Sequence, residues 1–381
     1  MKSSSDPSVL HIVESVGRGS VESWLLRMAS HARRKLIPIT WTLYCTLQAA
    51  GPREEEARAL GIRIVRSPVP IRNKMAFAIA LREEVRNGRY RNIHSQHDLV
   101  SGFYLAATLG LPVVRRLVHV HNADEEVLTD HPVKKSALKF LLRQTCLAYA
   151  DTIVANSNHS LDTFLAGRSR RAGRDIVHTL GVDPAPFAAA RGDRIGLRRE
   201  LGLAENALIL LFAGRMTPEK NPLFAVDVLA ELRRLRPDVV GVFVGAGSLE
   251  EPVRRRIAKV GLEAGTRLLG WREDVPEIMC ASDWFILPHP EHPVEAFGIA
   301  VVEAQLAGLR LLLSRGVLDD PLLSTAAFRR LSLAEPPVVW AQAALSLLAE
   351  PAPSRAEALV AHRASPMEMD QALNELLALY R

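Results

Sequence analysis

The chain has 381 residues, of which 48% are hydrophobic and 24% charged, and a formal net charge of +6. This length suffices for two domains, and the composition excludes a disordered or fibrous protein. The three cysteines, Cys45, Cys146 and Cys280, lie far apart, which argues against a disulfide framework or a zinc site and is typical of a reducing cytoplasm.

The N-terminal segment MKSSSDPSVLHIVESV has no basic region followed by a long apolar run, so we expect no signal peptide. No apolar stretch reaches the roughly 18 residues of a membrane span. Charge is divided unevenly, since residues 1–190 carry a net +9 and residues 191–381 a net −3. A basic N-terminal half favours an anionic partner such as nucleic acid, an acidic membrane or a phosphorylated substrate. An arginine-rich composition without functional meaning is an equal alternative.

Apolar strands alternate with helices through the first half of the chain. VLHIVES predicts a buried strand, followed by the glycine turn GRGS and the amphipathic helix VESWLLRMASHARR. IPITWTLYC and IRIVRSP are strand-like, KMAFAIALREEVRNG is helical, and RNIHSQH is again a strand and a loop. PVVRRLVHVHN, DTIVANS and DIVHTLGVD continue the alternation. Such a pattern predicts βαβ units and a mainly parallel sheet.

The alternation restarts near Ala207, after a charged connection, with ALILLFAGR, the helix PLFAVDVLAELRRLRP and the strand VVGVFVGAG. The restart predicts two doubly wound domains, 1–190 and 191–365, followed by a C-terminal helix in 366–381 that packs back on the first domain. In such folds ligands bind at the carboxyl ends of the strands, and we expect the site in the cleft between the domains.

The segment RMTPEKNP follows a predicted strand and leads into a helix that begins near Pro222. Arg215 and Lys220 bracket this turn. Two cations beside a helix N-terminus suit a diphosphate, because the free backbone N–H groups add donors and positive potential. A surface loop with routine basic residues is the alternative.

Two glutamates, Glu295 and Glu303, lie in EHPVEAFGIAVVEAQLAG, after the predicted strand DWFILP. We predict a helix that begins near Ala296–Gly298, which would return both carboxylates to one face about 12 Å apart. The first amides of that helix could hold phosphate, while Glu295 reaches a sugar and Glu303 the ribose hydroxyls. On spacing alone, a capping charge and an arginine-paired glutamate are the simpler interpretation.

At these residues the sequence resembles the retaining GT-B glycosyltransferases of family 4. EAFGIAVVE has their E-x7-E pattern, and FAGRMTPEKNP resembles their G-R-x-x-x-x-K motif. VESVGRGSVESWL is similar to their N-terminal glycine loop and VHVHN to their histidine segment. The resemblance covers almost the whole chain. It implies an α/β GT-B fold, with two Rossmann-like domains facing across a cleft, and polysaccharide-type transferases as the subgroup.

The resemblance implies transfer of a hexose from a UDP- or GDP-sugar to a glycan or polyprenyl-diphosphate-linked acceptor. Arg215 and Lys220 would neutralise the leaving diphosphate, Glu295 would contact the transferred sugar, and His119 would lie near it. The implied donor-binding residues are Glu303, Ala296, Phe297, Gly298, Gly17, Gly19, Trp271 and Arg272. His121 and Asn122 would meet the acceptor, and His121 competes with His119 for the place beside the sugar.

No metal or other cofactor is implied. The sequence has no D-x-D motif after a strand, and Arg215 and Lys220 would supply the positive charge instead. Three features depart from the family pattern. The loop PHPEHPVEAFG has more prolines and histidines than usual, which could alter sugar recognition. Ser20 replaces the second glycine of the N-terminal loop, and Asn221 replaces the glycine after Lys220. We expect the latter turn to survive, because asparagine tolerates the left-handed conformation.

Other functions remain open at this stage. A nucleotide-sugar epimerase of the same fold would need no acceptor, and a non-catalytic sugar-nucleotide-binding protein would have broken motifs, whereas these motifs are intact. Nucleic-acid binding is disfavoured, because aromatic residues are not interleaved with the basic ones.

The segment VKKSALKFLLRQTCLAYA predicts a basic amphipathic helix. Its basic residues Lys135, Lys139 and Arg143 follow an i, i+4, i+8 spacing, and the opposite side would hold Leu138, Leu141, Leu142 and Cys146. Such a helix fits an anionic membrane surface, so we expect a cytoplasmic protein bound peripherally to the inner face of the plasma membrane. A helix that packs on the sheet with its basic face in water is the alternative.

Overall fold

A computed structural model describes residues 8–17, 19–122 and 132–381. The first residues of the N-terminal segment, for which we expect no signal peptide, and Arg18 of the glycine turn lie outside these ranges. The chain forms two compact units. Unit 1 comprises Met1–Gly181 and Met369–Arg381, and unit 2 comprises Val182–Glu368.

Unit 1 contains seven strands in the order β3-β2-β1-β4-β5-β6-β7, and every pair is parallel. The strands are β1 (Ser8–Val13), β2 (Thr40–Cys45), β3 (Arg63–Arg66), β4 (Asn92–Ser95), β5 (Arg115–Val120), β6 (Thr152–Ala155) and β7 (Asp175–Val177). The helices between them are α1 (Ser20–Arg34), α2 (Glu54–Ala59), α3 (Lys74–Gly88), α4 (Ser101–Ala107), α5 (Pro132–Tyr149) and α6 (Asn158–Leu165).

Unit 2 contains six parallel strands in the order β10-β9-β8-β11-β12-β13. The strands are β8 (Leu208–Ala213), β9 (Val239–Val244), β10 (Thr266–Gly270), β11 (Trp284–Leu287), β12 (Arg310–Ser314) and β13 (Phe328–Leu331). The helices are α7 (Ala185–Ala189), α8 (Arg194–Glu200), α9 (Pro222–Leu235), α10 (Glu250–Lys259), α11 (Val275–Cys280), α12 (Ile299–Leu306), α13 (Pro337–Leu348) and α14 (Arg355–Arg363).

Both sheets have the doubly wound arrangement that the alternation of strands and helices predicts. The central strands of unit 2 are largely apolar because helices cover both faces of the sheet, and all six residues of Val239–Val244 are buried. The central strands β1 and β4 of unit 1 also bury polar side chains, His11, Asn92 and His94. In each sheet the strand order reverses next to the first strand, β1 in unit 1 and β8 in unit 2. The crevice at such a reversal, beyond the carboxyl ends of the strands, is where ligands bind in this class of fold.

The unit boundaries differ from the predicted 190/191 and 365/366. Helix α7 packs against α11 and α12 of unit 2, so the residues after Gly181 belong with the second sheet. At the other end, helix α15 (Met369–Ala378) is part of unit 1 and packs against α1. The side chain of Tyr380 is buried there, and its hydroxyl lies 2.8 Å from Nδ1 of His94 on β4.

Helix α5 differs from its predicted amphipathic pattern on both sides, since the basic residues Lys135, Lys139 and Arg143 are half-buried. Cys146 is buried and Leu138 and Leu142 are half-buried, as expected, but Leu141 is 61% exposed and Phe140 beside it is 60% exposed. The prediction placed Leu141 on the buried side because helical spacing alone cannot show which stripe a neighbouring helix covers. Within the described ranges, every helix is too short or too polar to cross a bilayer.

Candidate active site

The loops that follow β8, β9 and β10 are joined by backbone hydrogen bonds at the carboxyl edge of the unit 2 sheet. Gly214 N donates to Val244 O at 3.0 Å, and Met216 N donates to Ala246 O at 3.0 Å. Gly245 N in turn donates to Gly270 O at 2.8 Å. The three loops therefore form one connected rim that carries Arg215 and Trp271.

Gly245 is required at this rim for two reasons. Its φ of +126° is a conformation that L side chains rarely adopt. A Cβ at this position would also lie 1.9 Å from the carbonyl oxygen of Gly214. Only glycine lets the second loop approach the backbone that leads into Arg215.

Arg215 and Lys220 lie where the sequence predicts, in the turn between β8 and α9. Arg215 is exposed, and Lys220 ends a short 3₁₀ turn, Pro218–Lys220. Asn221 has φ 49° and ψ 51°, so the left-handed turn survives without the glycine, and α9 begins at Pro222. The predicted conformation of Asn221 and the predicted start of this helix are confirmed.

Lys220 forms an ion pair with Glu295, its Nζ donating to Oε2. The carboxylate side chain is only 13% exposed, and the imidazole Nε2 of His289 lies 3.8 Å from the same oxygen. Burial is the largest single influence on Glu295 and raises its pKa, but Lys220, His289 and Arg215 together outweigh burial, and the pKa lies below its ordinary value. Glu295 is therefore an anion at neutral pH, in contact with the cation of the phosphate motif.

The helical spacing predicted for the two glutamates is wrong. Helix α12 begins at Ile299, after Gly298 in a left-handed conformation with φ +77°, and not near Ala296. Glu295 lies in the preceding loop, where its N–H donates to Gly316 O at 2.7 Å and it bridges to Val317. Ala296, Phe297 and Gly298 are buried in this loop and supply no helical turn.

The other residues of unit 2 that are predicted to bind the donor are Glu303, Trp271 and Arg272. Glu303 is half-buried on α12, two residues beyond the buried Val301. Trp271 follows β10 directly and is 52% exposed. The guanidinium of Arg272 is bound to two carboxylates, Asp274 at 2.6 and 2.7 Å and Glu200 at 2.8 Å. Arg272 thus braces the loop that presents Trp271.

In unit 1 the glycine loop lies between β1 and α1. Gly19 is the N-cap residue of α1, and Ser23 N donates to its carbonyl at 3.0 Å. A Cβ on Gly19 would lie 2.4 Å from Oε2 of Glu22, so the glycine leaves room for that carboxylate over the helix start. Gly17 precedes it near the carboxyl end of β1. Ser20 is the first residue of the helix, so the substituted position lies inside α1.

His119 lies inside the core of unit 1, with 0% exposure. Its ring stacks on His121 at a centroid distance of 4.1 Å and on His94 at 5.1 Å, and the edge of Trp24 lies 5.4 Å away. Neither ring nitrogen has a hydrogen-bond partner among the described residues. The predicted role of His119 near the sugar stays a prediction.

His119 belongs to a buried group of histidine rings, some stacked and some tilted or edge-on, that we call the histidine cluster: His11, His94, His119, His121 and His178. Burial lowers the pKa of every member, to about 3 for His11 and for His121. All five rings are therefore neutral at pH 7.

His121 and Asn122 follow β5 and are held by Asp98, which follows the neighbouring strand β4. The Asp98 carboxylate accepts from His121 N at 2.7 Å and from Asn122 Nδ2 at 2.6 Å. His121 Nε2 lies 2.7 Å from Oε1 of Gln96. This arrangement fixes the HN pair at the carboxyl edge of the unit 1 sheet.

Sequence reasoning missed Asp98 and His289. Asp98 lies three residues after the end of β4, in HSQHD, and His289 lies two residues after the end of β11, in ILPHP. Polar residues just beyond the carboxyl ends of parallel strands are candidates for a site, and this rule could have found both residues, although not their partners. Among the described residues, no three histidine, cysteine, aspartate or glutamate side chains converge to hold a metal ion.

Two family models match the chain. The model described as "Glycosyltransferase Family 4" matches residues 21–186, and "Glycosyl transferases group 1" matches residues 193–317. The "Putative glycosyltransferase EpsF" of Bacillus subtilis (strain 168) is 27% identical over 358 residues, which cover 92% of this chain and 90% of that protein. The "UDP-Gal:alpha-D-GlcNAc-diphosphoundecaprenol alpha-1,3-galactosyltransferase" of Escherichia coli is 36% identical over 137 residues, 35% of each chain.

Solved structures resemble the chain over nearly its whole length. Anabaena Alr3699/HepE in complex with UDP-glucose matches with a TM-score of 0.77 and 20% identity, covering 97% of this chain and 99% of that chain. WaaG, described as a glycosyltransferase involved in lipopolysaccharide biosynthesis, matches with a TM-score of 0.69 and 14% identity, covering 98% and 99%. At these identities the likeness concerns the fold.

Proposed function

Since the chain is a group 1 glycosyltransferase with the two Rossmann-like domains of the GT-B fold, we propose that it transfers a hexose from a UDP-sugar with retention of configuration. The predicted fold class and the predicted enzyme class are confirmed. The acceptor that we propose is a glycan or a polyprenyl-diphosphate-linked sugar in surface polysaccharide synthesis. The name of the galactosyltransferase relative supports a lipid-linked acceptor, and the UDP-glucose complex of the Anabaena neighbour supports the donor.

The contact between Lys220 and Glu295 carries the proposal. It joins the phosphate motif to the glutamate motif on one edge of unit 2, with Arg215 in the same turn. A cation beside a departing diphosphate stabilises the charge that develops on it. In the front-face attack that we propose, the acceptor oxygen bonds to the sugar carbon as the bond from that carbon to the diphosphate breaks. The departing diphosphate takes the acceptor proton, so the step needs no separate protein base. The positive charge comes from side chains, and we propose that no metal takes part.

Replacing each glutamate by glutamine should separate their roles. Glu303→Gln should weaken the binding of UDP and of UDP-glucose alike, about tenfold or more, because both ligands carry the ribose that Glu303 holds. Hydrogen bonds to charged groups contribute about 1.5–3 kcal/mol, which corresponds to at least this loss of affinity. Glu295→Gln should leave UDP affinity unchanged and lower turnover roughly 30-fold or more, because its contact with the sugar strengthens as charge develops. Affinities from calorimetry, turnover and melting temperatures of both variants distinguish these effects.

A thermal-shift screen with UDP- and GDP-sugars precedes this experiment, since a bound donor raises the melting temperature. Glu251→Gln, on the exposed face of α10, is the matched control and should change none of the three quantities. Equal loss of UDP affinity in the two variants would refute the division of roles. A joint fall in melting temperature that accounts for the lost activity would make both glutamates structural.

We further propose that the enzyme is cytoplasmic and binds an anionic membrane surface through α5. The exposed stripe of this helix carries Phe140 and Leu141 with the exposed Lys134, and Lys135 and Lys139 lie half-buried beside it. Apolar side chains flanked by lysines match an interface between acyl chains and anionic headgroups.

Replacing Phe140 and Leu141 together by serine should lower binding to phosphatidylglycerol vesicles about tenfold or more, because both apolar side chains leave the bilayer. Raising the salt concentration should release the wild-type protein. Val360→Ser, at a 66% exposed apolar residue of unit 2, is the control and should bind as the wild type does. Sedimentation with vesicles measures the binding. A wild-type protein that ignores these vesicles at low salt would end the membrane proposal.

A further inference from the structure

His289 lies in the loop that follows β11 and has no role in the motifs. The residue is only 4% exposed, although neighbouring residues of the same loop, His292 and Pro293, are exposed. Its Nδ1 lies 3.0 Å from the carbonyl oxygen of Pro290. A carbonyl oxygen only accepts, so Nδ1 carries the proton in this bond, and Nε2 of the neutral ring is a hydrogen-bond acceptor.

That acceptor points toward the glutamate of the active site. Nε2 of His289 lies 3.8 Å from Oε2 of Glu295, the oxygen that Lys220 also binds. No described residue hydrogen-bonds to Nε2, and none bonds to the other carboxylate oxygen, Oε1. Burial lowers the pKa of His289, and the charge of Lys220 lowers it further. The carboxylates of Glu295 and Glu219 raise it, but the pKa stays below its ordinary value. The neutral acceptor form is the form at pH 7.

Hydrogen bonds to the backbone fix the loop at both His289 and Glu295. Ser314 Oγ donates to the carbonyl oxygen of His289, and Glu295 N donates to Gly316 O. Gly316 approaches so closely that a Cβ there would lie 1.9 Å from the carbonyl oxygen of Pro290. The imidazole of His289 and the carboxylate of Glu295 are thus held close together on one loop, with 3.8 Å between Nε2 and Oε2.

We propose that His289 is a sugar-specificity residue, whose Nε2 accepts a hydrogen bond from one hydroxyl of the transferred hexose beside Glu295. This inference rests on the proposed function and adds a contact to it. A site built to accept a hydroxyl discriminates against a sugar that lacks it, because the buried acceptor is then left without a partner.

The test compares His289→Phe, which keeps the ring shape but has no acceptor, with His289→Gln, which restores one. The probes are UDP, UDP-glucose and UDP-galactose, and binding by calorimetry needs no acceptor substrate. For the UDP-hexose that binds wild type more tightly, His289→Phe should weaken binding at least about tenfold and leave UDP affinity unchanged. His289→Gln should recover most of the loss. His292→Phe, in the exposed part of the loop, is the matched control and should bind as wild type does.

The hydroxyl is identified with the four analogues of that UDP-hexose that lack the oxygen at C2, C3, C4 or C6. One of the four analogues should bind to His289→Phe as tightly as it binds to the wild type. That analogue lacks the hydroxyl that Nε2 accepts from, so the contact is already lost and the substitution removes nothing more. The inference would be overturned if His289→Phe weakened the binding of all four analogues as much as it weakens the binding of the UDP-hexose. It would also be overturned if His289→Phe bound the UDP-hexose as tightly as the wild type does. A wild-type protein that binds neither UDP nor a UDP-hexose would overturn the proposed function and this inference with it, so the two failures are distinguishable.

Discussion

Replacing Arg215 by alanine should lower turnover roughly 30- to 1,000-fold and leave the melting temperature unchanged. Arg215 is exposed, so its loss costs no packing. Its charge acts on the diphosphate as it departs, and stabilisers of this kind contribute about 2–4 kcal/mol to the transition state. Lys220→Ala should cause a similar loss of turnover and also lower the melting temperature, because the low-exposure carboxylate of Glu295 loses its cation.

Steady-state turnover with the UDP-hexose donor, beside melting curves, measures both effects. Arg254→Ala, at an exposed arginine of α10, is the control and should match the wild type in both. Activity should persist in EDTA, since the cations are side chains. Near-normal turnover of both variants would contradict the proposal that the diphosphate binds at this turn. Complete loss of activity in EDTA, with rescue by magnesium, would refute the metal-free scheme.

Acidification should unfold unit 1 near pH 5.5. The five rings of the histidine cluster have pKa values below the unfolded value of about 6.5, so above that pH neither state binds the protons and stability is complete. Below it, the unfolded chain takes up protons that the native unit excludes. Each ring whose pKa lies far below that value then costs about 1.4 kcal/mol per pH unit, so the rings of His11, His94, His119 and His121 cost about 6 kcal/mol at pH 5.5, and the lowered pKa of His178 adds to this. The free energy of unfolding of a typical domain is about 5–15 kcal/mol, so a loss of this size is enough to unfold unit 1.

Native-state hydrogen exchange, corrected for the intrinsic exchange rate at each pH, measures the opening free energy of single strands. That of β1, β4 and β5 should fall steeply between pH 7 and pH 5.5. That of β8 and β9 is the internal comparison, because in unit 2 the described histidines with lowered pKa are His289 and His362. Equal opening free energies at the two pH values in β1, β4 and β5 would contradict the prediction.

Local patterns in the sequence predicted the sheets and the turns. Apolar strands of five or six residues, such as Leu208–Ala213, bury both faces and are recognised from their composition alone. Asn221 was predicted correctly because its conformation depends on the residue itself. The E-x7-E spacing was misread as helical because Gly298 is compatible with a helix in sequence, and the loop is held by Gly316, a residue distant in the chain.

The surroundings of the site histidines could not be predicted, because they depend on contacts between distant segments. VHVHN gives no sign that His119 stacks between rings from β4 and the end of its own strand. The bonds from His121 and Asn122 to Asp98 join residues more than twenty positions apart. Such contacts follow from the strand order, which a single sequence does not specify.

The return of α15 to unit 1 has a consequence for the order in which the protein can be made. On the ribosome, the seven strands of unit 1 emerge first, and all of Val182–Glu368 must be translated before Met369 appears. Until Tyr380 leaves the exit tunnel, the hydroxyl that contacts His94 and the carbonyl that accepts from Asn92 are missing. Unit 1 is therefore completed only after all of unit 2 has been translated, and a nascent chain stalled within unit 2 carries a histidine cluster that still lacks its contacts with Tyr380.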